Sequence, residues 1–312
     1  MPSIALITTY HFNSGNPDAY ARLIRGLRSS AKQLGKDDRL VLVANGNGDT
    51  VEDPDQVLKD VDSSHPDRII PVVMQKNRDI AGGLNVGIAA SLRLKTDLIG
   101  QVQSSVIIGA TWLETMRDQA AHQDIAALYG RLVYEDLPDT VWADGHYLME
   151  GRTLDLGHNQ PASNPVAPAE HWGFPCLSAA IFPRTIVELV QGKYGDFVTE
   201  RLCRYGDCTD VALRCARVSR WKFIYVRKAL GTKRRPLPQR AAIACSQLLA
   251  ARRYYADRIK AAEDRLEGTR YARFLVDALH RSAALNSGGY SPTGEPPPKV
   301  SNSEDHGWGT PV

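Results

Sequence analysis

Two charged clusters in this chain hold residue types that can do acid–base and anion chemistry. Asp207-Cys208-Thr209-Asp210 opens a helical run, and Lys233-Arg234-Arg235 sits in a basic turn, Gly231 to Pro236, after a short strand. A carboxylate serves as a general base when its surroundings bring its pKa toward the working pH. Lysine and arginine balance the charge of a phosphate or carboxylate. Each cluster also has a plainer duty. Acidic residues at a helix N-terminus complement its dipole, and a basic run is at home in water. Uncharged polar residues recur where apolar runs break off: Thr8 and Tyr10, Asn45, Asn77, and Gln103-Ser104-Ser105.

Alternating strands and helices position those breaks. Ile4 to Ile7 reads as a buried strand ending at Thr8-Thr9-Tyr10, and a helix is expected from about Ala19 to Leu34. Leu40 to Val43 is a second strand, running into Asn45-Gly46-Asn47-Gly48-Asp49; Asp53 to Val61 is helical and Arg68 to Val73 a third strand. The central stretch, Gln75 to Met116, has a glycine-containing polar segment, Asn77 to Gly83, and then a helix with Leu84, Val86, Ile88, Leu92 and Leu94 on its apolar face. A buried strand, Leu98 to Val102, ends on Gln103-Ser104-Ser105, and another helix starts at Trp112. This alternation predicts an α/β fold with a mainly parallel, doubly wound sheet. Functional groups in such sheets lie beyond the carboxyl ends of the strands.

Beyond Met116 the pattern loosens. Strands are expected at Ile125 to Val133, Thr140 to Met149 and Lys222 to Val226, helices from Arg184 and Asp207, and a long polar loop from Asp155 to Glu170. Gln239 to Arg281 reads as a helical extension whose arginines and tyrosines face solvent, a membrane surface or an acidic partner. Ala283 to Val312 has no hydrophobic periodicity and is expected to be disordered. The implied division is a domain over 1–235, the extension over 236–282 and the tail over 283–312.

With 312 residues, 43% hydrophobic and 23% charged, the chain has the composition of a soluble globular protein with a substantial core. A net charge of +3 is too small to point to nucleic acid. Five cysteines at irregular spacings argue against a disulfide framework, and no signal-peptide pattern follows Met1, so a cytoplasmic protein is expected. Cys203, Cys208 and Cys215 lack the paired spacing of a zinc motif and read as buried or free thiols. His146 and His171 fall in the region expected to face the acceptor, although a lone histidine is more often structural. Gly82, Gly83 and Gly87 read as packing glycines, because their spacing is not the dinucleotide fingerprint.

Four segments in order resemble the family-2 inverting glycosyltransferases of the GT-A fold, the rhamnosyltransferase-like members especially. They are Thr8-Thr9-Tyr10, Val43 to Asp49, Asn77 to Ile88, and Asp207 to Arg214; Arg253 to Arg258 is similar to a common C-terminal helix of the group. The resemblance implies a doubly wound mixed sheet and transfer of a sugar, with inversion, from a nucleotide-diphosphate donor. It places Thr8, Tyr10, Asn45, Asn77, Arg78 and Asn85 around the donor. Asn77 and Asn85 have the alternative of satisfying helix amides.

The departures from the family are chemical. Its metal-binding Asp-x-Asp falls on Gln103-Ser104-Ser105, which lacks the anionic oxygens that Mg²⁺ or Mn²⁺ prefers. Its usual base aspartate falls on Cys208, leaving Asp207 or Asp210 for that role. Lys233 to Arg235 falls near the family's metal-binding histidine. These departures imply transfer with little or no dependence on a divalent cation, the leaving diphosphate being balanced by Lys233, Arg234 and Arg235, with Arg78 contributing from the other side. The acceptor is a glycan, lipid-linked glycan, protein or small molecule, and peripheral membrane contact fits the helical extension. A catalytically inactive relative that keeps the fold for binding or scaffolding is the rival reading.

Overall fold

β1 (Ile4–Tyr10) is almost wholly buried and lies between two parallel neighbours, β2 (Arg39–Asn45) and β4 (Leu98–Val102). Its apolar run needs cover on both faces, and the helices that follow each strand supply it. The computed structural model describes residues 1–12, 15–46, 51–61, 65–121, 125–149, 152–164, 173–200, 207–219 and 222–234. The helical extension and the tail expected from the sequence lie outside these residues.

The remaining strands are β3 (Ile69–Met74), β5 (Val106–Ile108), β6 (Ile125–Tyr134), β7 (Val141–Ala143), β8 (His146–Met149), β9 (Arg152–Asp155), β10 (Ala179–Pro183) and β11 (Lys222–Lys233). The main sheet runs β3-β2-β1-β4-β10-β6-β11-β5, with β7 on β6, and β8 and β9 form a separate hairpin. The β3-β2-β1-β4 block is parallel, and β10 pairs antiparallel with both β4 and β6. A mixed GT-A-like sheet is therefore what the chain builds.

The helices divide between the faces. α1 (Pro17–Ala31), α2 (Pro54–Val61) and α4 (Trp112–Ala120) send Leu23, Leu27, Val57, Trp112 and Met116 into one core. α3 (Asp79–Leu92), α5 (Arg184–Tyr194) and α6 (Asp207–Val218) send Leu84, Ile88, Val187, Val190 and Val211 into the other. Pro17 and the Asn16 side chain, which accepts from the Ala19 amide, start α1 as capping rules require.

Three expectations need correction. α3 begins at Asp79, so Gly82 and Gly83 belong to its first turns and not to a preceding loop. The strand expected from Thr140 to Met149 is two strands. Gly145, at φ +99°, turns the chain between them against the Tyr129 ring, a backbone angle and a close approach that only glycine accommodates. The first part of the expected basic turn, Gly231 to Lys233, is strand: past a register shift between Tyr225 and Leu230, β11 runs on to Lys233. Gly231 to Lys233 there pair with β6 on one side and β5 on the other, and this pairing satisfies the backbone and overrides the local turn chemistry. No helix among the described residues is long and apolar enough to cross a membrane.

Candidate active site at the strand tips

The carboxyl ends of β1, β2 and β4 lie side by side, and the start of α3 closes over the first two. Asn45, buried at the end of β2, holds that start from both sides. Its Oδ1 accepts from the Arg78 amide at 3.0 Å, and its Nδ2 donates to the Asp79 carbonyl at 2.7 Å. Asn77 Oδ1 accepts from the Asp79 amide at 2.8 Å. Asp79 has a φ of +57°, a backbone angle that glycine adopts more readily than other residues.

Gly83 and Gly87 bring α3 down onto the sheet. A Cβ at Gly83 would meet Thr9 Cγ2, and one at Gly87 would meet Ile7 Cγ2, so these are packing glycines as expected. Asn85 does not cap the helix. Its Nδ2 donates to the Val198 carbonyl at 2.7 Å, and its Oδ1 accepts from the Phe197 and Val198 amides at 3.2 and 3.0 Å. The Arg78 guanidinium pairs with Glu200, with Nε 3.1 Å from Oε2. Thr8 is buried at the end of β1, and the buried Tyr10 donates its hydroxyl to the Glu52 carbonyl at 2.7 Å.

The tip of β4 carries the most distinctive arrangement. The Gln103 amide donates to the Ser178 carbonyl at 2.8 Å, and Gln103 Oε1 accepts from Ser178 Oγ at 3.0 Å. Lys233, paired in register with Val106, points its ammonium at the same tip. Nζ lies 3.0 Å from Gln103 Oε1 and 2.5 Å from Ser178 Oγ, and sits 3.9 Å over the centre of the Trp142 ring. Burial lowers the Lys233 pKa, while the surrounding Cys176, Cys208, Asp155 and Asp207 act to keep it charged. Ser104 and Ser105 are half-buried beside it. This tip offers amide and hydroxyl oxygens and already holds a cation, so the divalent ion implied by the fold family does not fit it. Arg234 lies away, 3.9 Å from Asp18, and Arg235 is outside the described residues.

The two aspartates expected to do acid–base work have different surroundings. Asp210 is 1% exposed; its Oδ2 accepts from the Thr199 amide at 3.0 Å and lies 2.7 Å from Arg214 Nε. Asp207, at the first turn of α6, accepts from the Cys208 amide at 2.9 Å, and burial pushes its carboxyl pKa up. Asp207 is thus the more available of the two.

Sequence reasoning missed what lies next to Asp207. His146 on β8, Cys176 before β10 and Cys208 on α6 converge, and Lys233 is near enough to influence both thiols. Cys208 Sγ accepts from the Leu177 amide at 3.3 Å and Cys176 Sγ from the Ser178 amide at 3.5 Å. His146 Nδ1 lies 2.7 Å from Asp155 Oδ1, and the ring also hydrogen-bonds Cys176. Burial opposes ionisation of both groups. Even so, Cys208 and His146 hold the Cys176 thiol well below its usual pKa, and Cys176 and Asp155 raise His146 to about 10. Cys208 is held above the usual thiol value by its hydrogen bond to Cys176 and by burial. Cys215 lies in the core face of α6; Cys203 and His171 are outside the described residues.

No known protein family matches this sequence, and no curated protein matches it. Its fold does match solved glycosyltransferases. A mannosyltransferase from Pyrobaculum calidifontis, solved with GDP-Man and Mn²⁺, is 13% identical with a TM-score of 0.55, covering 93% of this chain and 77% of that one. S. aureus TarS, residues 1–349, is 14% identical with a TM-score of 0.50, covering 90% of this chain and 70% of its own. The shared architecture is the GT-A fold.

Proposed function

We propose that this chain transfers a glycosyl group from a nucleotide-diphosphate sugar to an acceptor hydroxyl, with inversion and without a divalent cation at the β4 tip. The observation that carries this reading is the Lys233 ammonium fixed on Gln103 and Ser178, where the resembled family places metal-binding aspartates. Gln103 and Ser178 engage two of its N–H donors and the Trp142 ring faces the cation as well, so what Lys233 offers a diphosphate is a positive charge fixed in place. In the reaction, the bond from the anomeric carbon to the diphosphate breaks with its electron pair left on oxygen. The acceptor oxygen bonds to that carbon from the opposite face, and its proton passes to Asp207. A preorganised cation beside the leaving group and a base with a raised pKa are the two aids such a transfer needs.

The GDP-Man bound to the mannosyltransferase supports a nucleotide sugar as donor. Asn45, Asn77 and Asn85 shape the donor site by fixing backbone, the buried Thr8 and Tyr10 support it from the β1 side, and Asp210 with Arg214 anchors α6. The acceptor is a glycan, lipid-linked glycan, protein or small molecule, and peripheral membrane contact is compatible with this reading.

A panel of nucleotide sugars, read by release of free nucleotide, tests it. Slow hydrolysis of one donor together with binding of its nucleoside diphosphate is expected. The second reading is a binding protein that retains the fold, favoured by the mutual satisfaction of Lys233, Gln103 and Ser178. Binding of no nucleoside diphosphate would leave that reading standing alone.

A further inference from the structure

We propose that His146, Cys176 and Cys208 form a binding site for one zinc ion, beside the β4 tip and built from none of its Gln103, Ser104 or Ser105 oxygens. One potential ligand atom from each residue lies within 4.8 Å of the other two. Tetrahedral zinc, with Zn–S of about 2.3 Å and Zn–N of about 2.0 Å, sets such atoms roughly 3.5–3.8 Å apart. The required closure is therefore at most about 1.0–1.3 Å, within reach of side-chain rotation. Two sulfurs and an imidazole are a borderline-soft donor set that favours zinc and disfavours magnesium or calcium.

The surroundings have the features of a metal site. Asp155 Oδ1 is 2.7 Å from His146 Nδ1, near enough for the carboxylate to orient the ring once the two align, as carboxylates do for metal-binding histidines. His146 and Cys176 are buried, so the site is shielded from competing water. The ligands come from three distant parts of the chain, β8, the segment before β10 and the first turn of α6. An ion there cross-links those parts and sets the position of Asp207. Binding needs both sulfurs as thiolates and a neutral imidazole, so it releases protons to solvent. Three protein ligands leave the fourth position to water. The inference rests on side-chain geometry alone and stands whether or not the sugar-transfer reading holds.

The full chain, purified in reducing buffer, is loaded with Zn²⁺ and separately with Co²⁺. Expected are one tightly held ion per chain and a sulfur-to-cobalt charge-transfer band of two-thiolate intensity. Cys176→Ser and Cys208→Ser should each lose most of the affinity, Asp155→Asn should weaken it by about 10–100-fold, and Cys215→Ser should keep it. If the serine variants fail to fold, the wild-type cobalt spectrum still counts the thiolates. A wild-type protein with no charge-transfer band, or with Cys176 and Cys208 joined as a disulfide under these conditions, overturns the proposal. So does retention of full affinity by both serine variants.

Discussion

Lys233 Nζ and Gln103 Oε1 meet at 3.0 Å across 130 residues of sequence. The contact exists because β11 continues as strand to its last residue and lies against β5, which begins where the β4 tip ends. A lysine on a strand paired along both edges has a fixed origin for its side chain. That is the condition for an ammonium to act as a preorganised charge, costing no reorganisation when negative charge develops.

Asp207 and Asp210 should separate cleanly on substitution. Asp207→Asn is expected to lower turnover by about 10²–10⁴-fold with little change in stability, as loss of a general base does. Asp210→Asn should destabilise by about 1.5–3 kcal/mol, because it removes one of the two carboxylates on the buried Arg214 guanidinium and leaves Asp196 as the other. Thermal or urea melts alongside nucleotide-release assays read both effects. The reverse pattern would exchange the two roles.

Asn85→Ala should cost about 1–3 kcal/mol through the Phe197 and Val198 amides it leaves unmatched, while donor affinity in the folded fraction stays nearly constant. Isothermal titration with the preferred nucleoside diphosphate checks the second half. A large loss of affinity at unchanged stability would put Asn85 in contact with the donor.

Gly87→Ala adds a methyl group against Ile7 where α3 lies close on β1. Alanine favours helix by up to about 1 kcal/mol, but overpacking costs about 1–3 kcal/mol. Net destabilisation is expected in the urea midpoint, and a stabilised protein would show that α3 sits further from the sheet.

Asp79→Gly and Asp79→Ala differ by one methyl group on a residue with positive φ. The alanine variant should be less stable than the glycine variant by about 1 kcal/mol, the cost of a Cβ in the left-handed region. Equal stabilities would mean that the start of α3 does not require that conformation.

Much of this architecture was legible because it is local. From Ile4 to Met116 the apolar runs alternate with helical periodicity, and the structure places strands and helices where those patterns fall. The Gln103-Ser104-Ser105 tip follows directly from a strand ending in polar residues. The extension of β11 was hidden because Gly231, Lys233 and Arg234 are locally turn-like and solvent-seeking, whereas pairing with β5 and β6 is a long-range effect. The His146, Cys176 and Cys208 cluster was hidden for the same reason: its members share no short spacing, and only the packing of α6 against the segment before β10 brings them together. Arg78 read as a free cation, because no pattern revealed Glu200 as its partner.

The central claim is that Lys233 does the work of a metal ion at the β4 tip. Its most direct test is nucleotide release from the preferred donor in buffer free of Mg²⁺ and Mn²⁺, for wild type and Lys233→Ala. This account predicts wild-type turnover that does not rise when either ion is added, and a loss of about 10²–10³-fold in the variant. Turnover that begins only when Mn²⁺ or Mg²⁺ is supplied, or that survives the loss of Lys233, would contradict it.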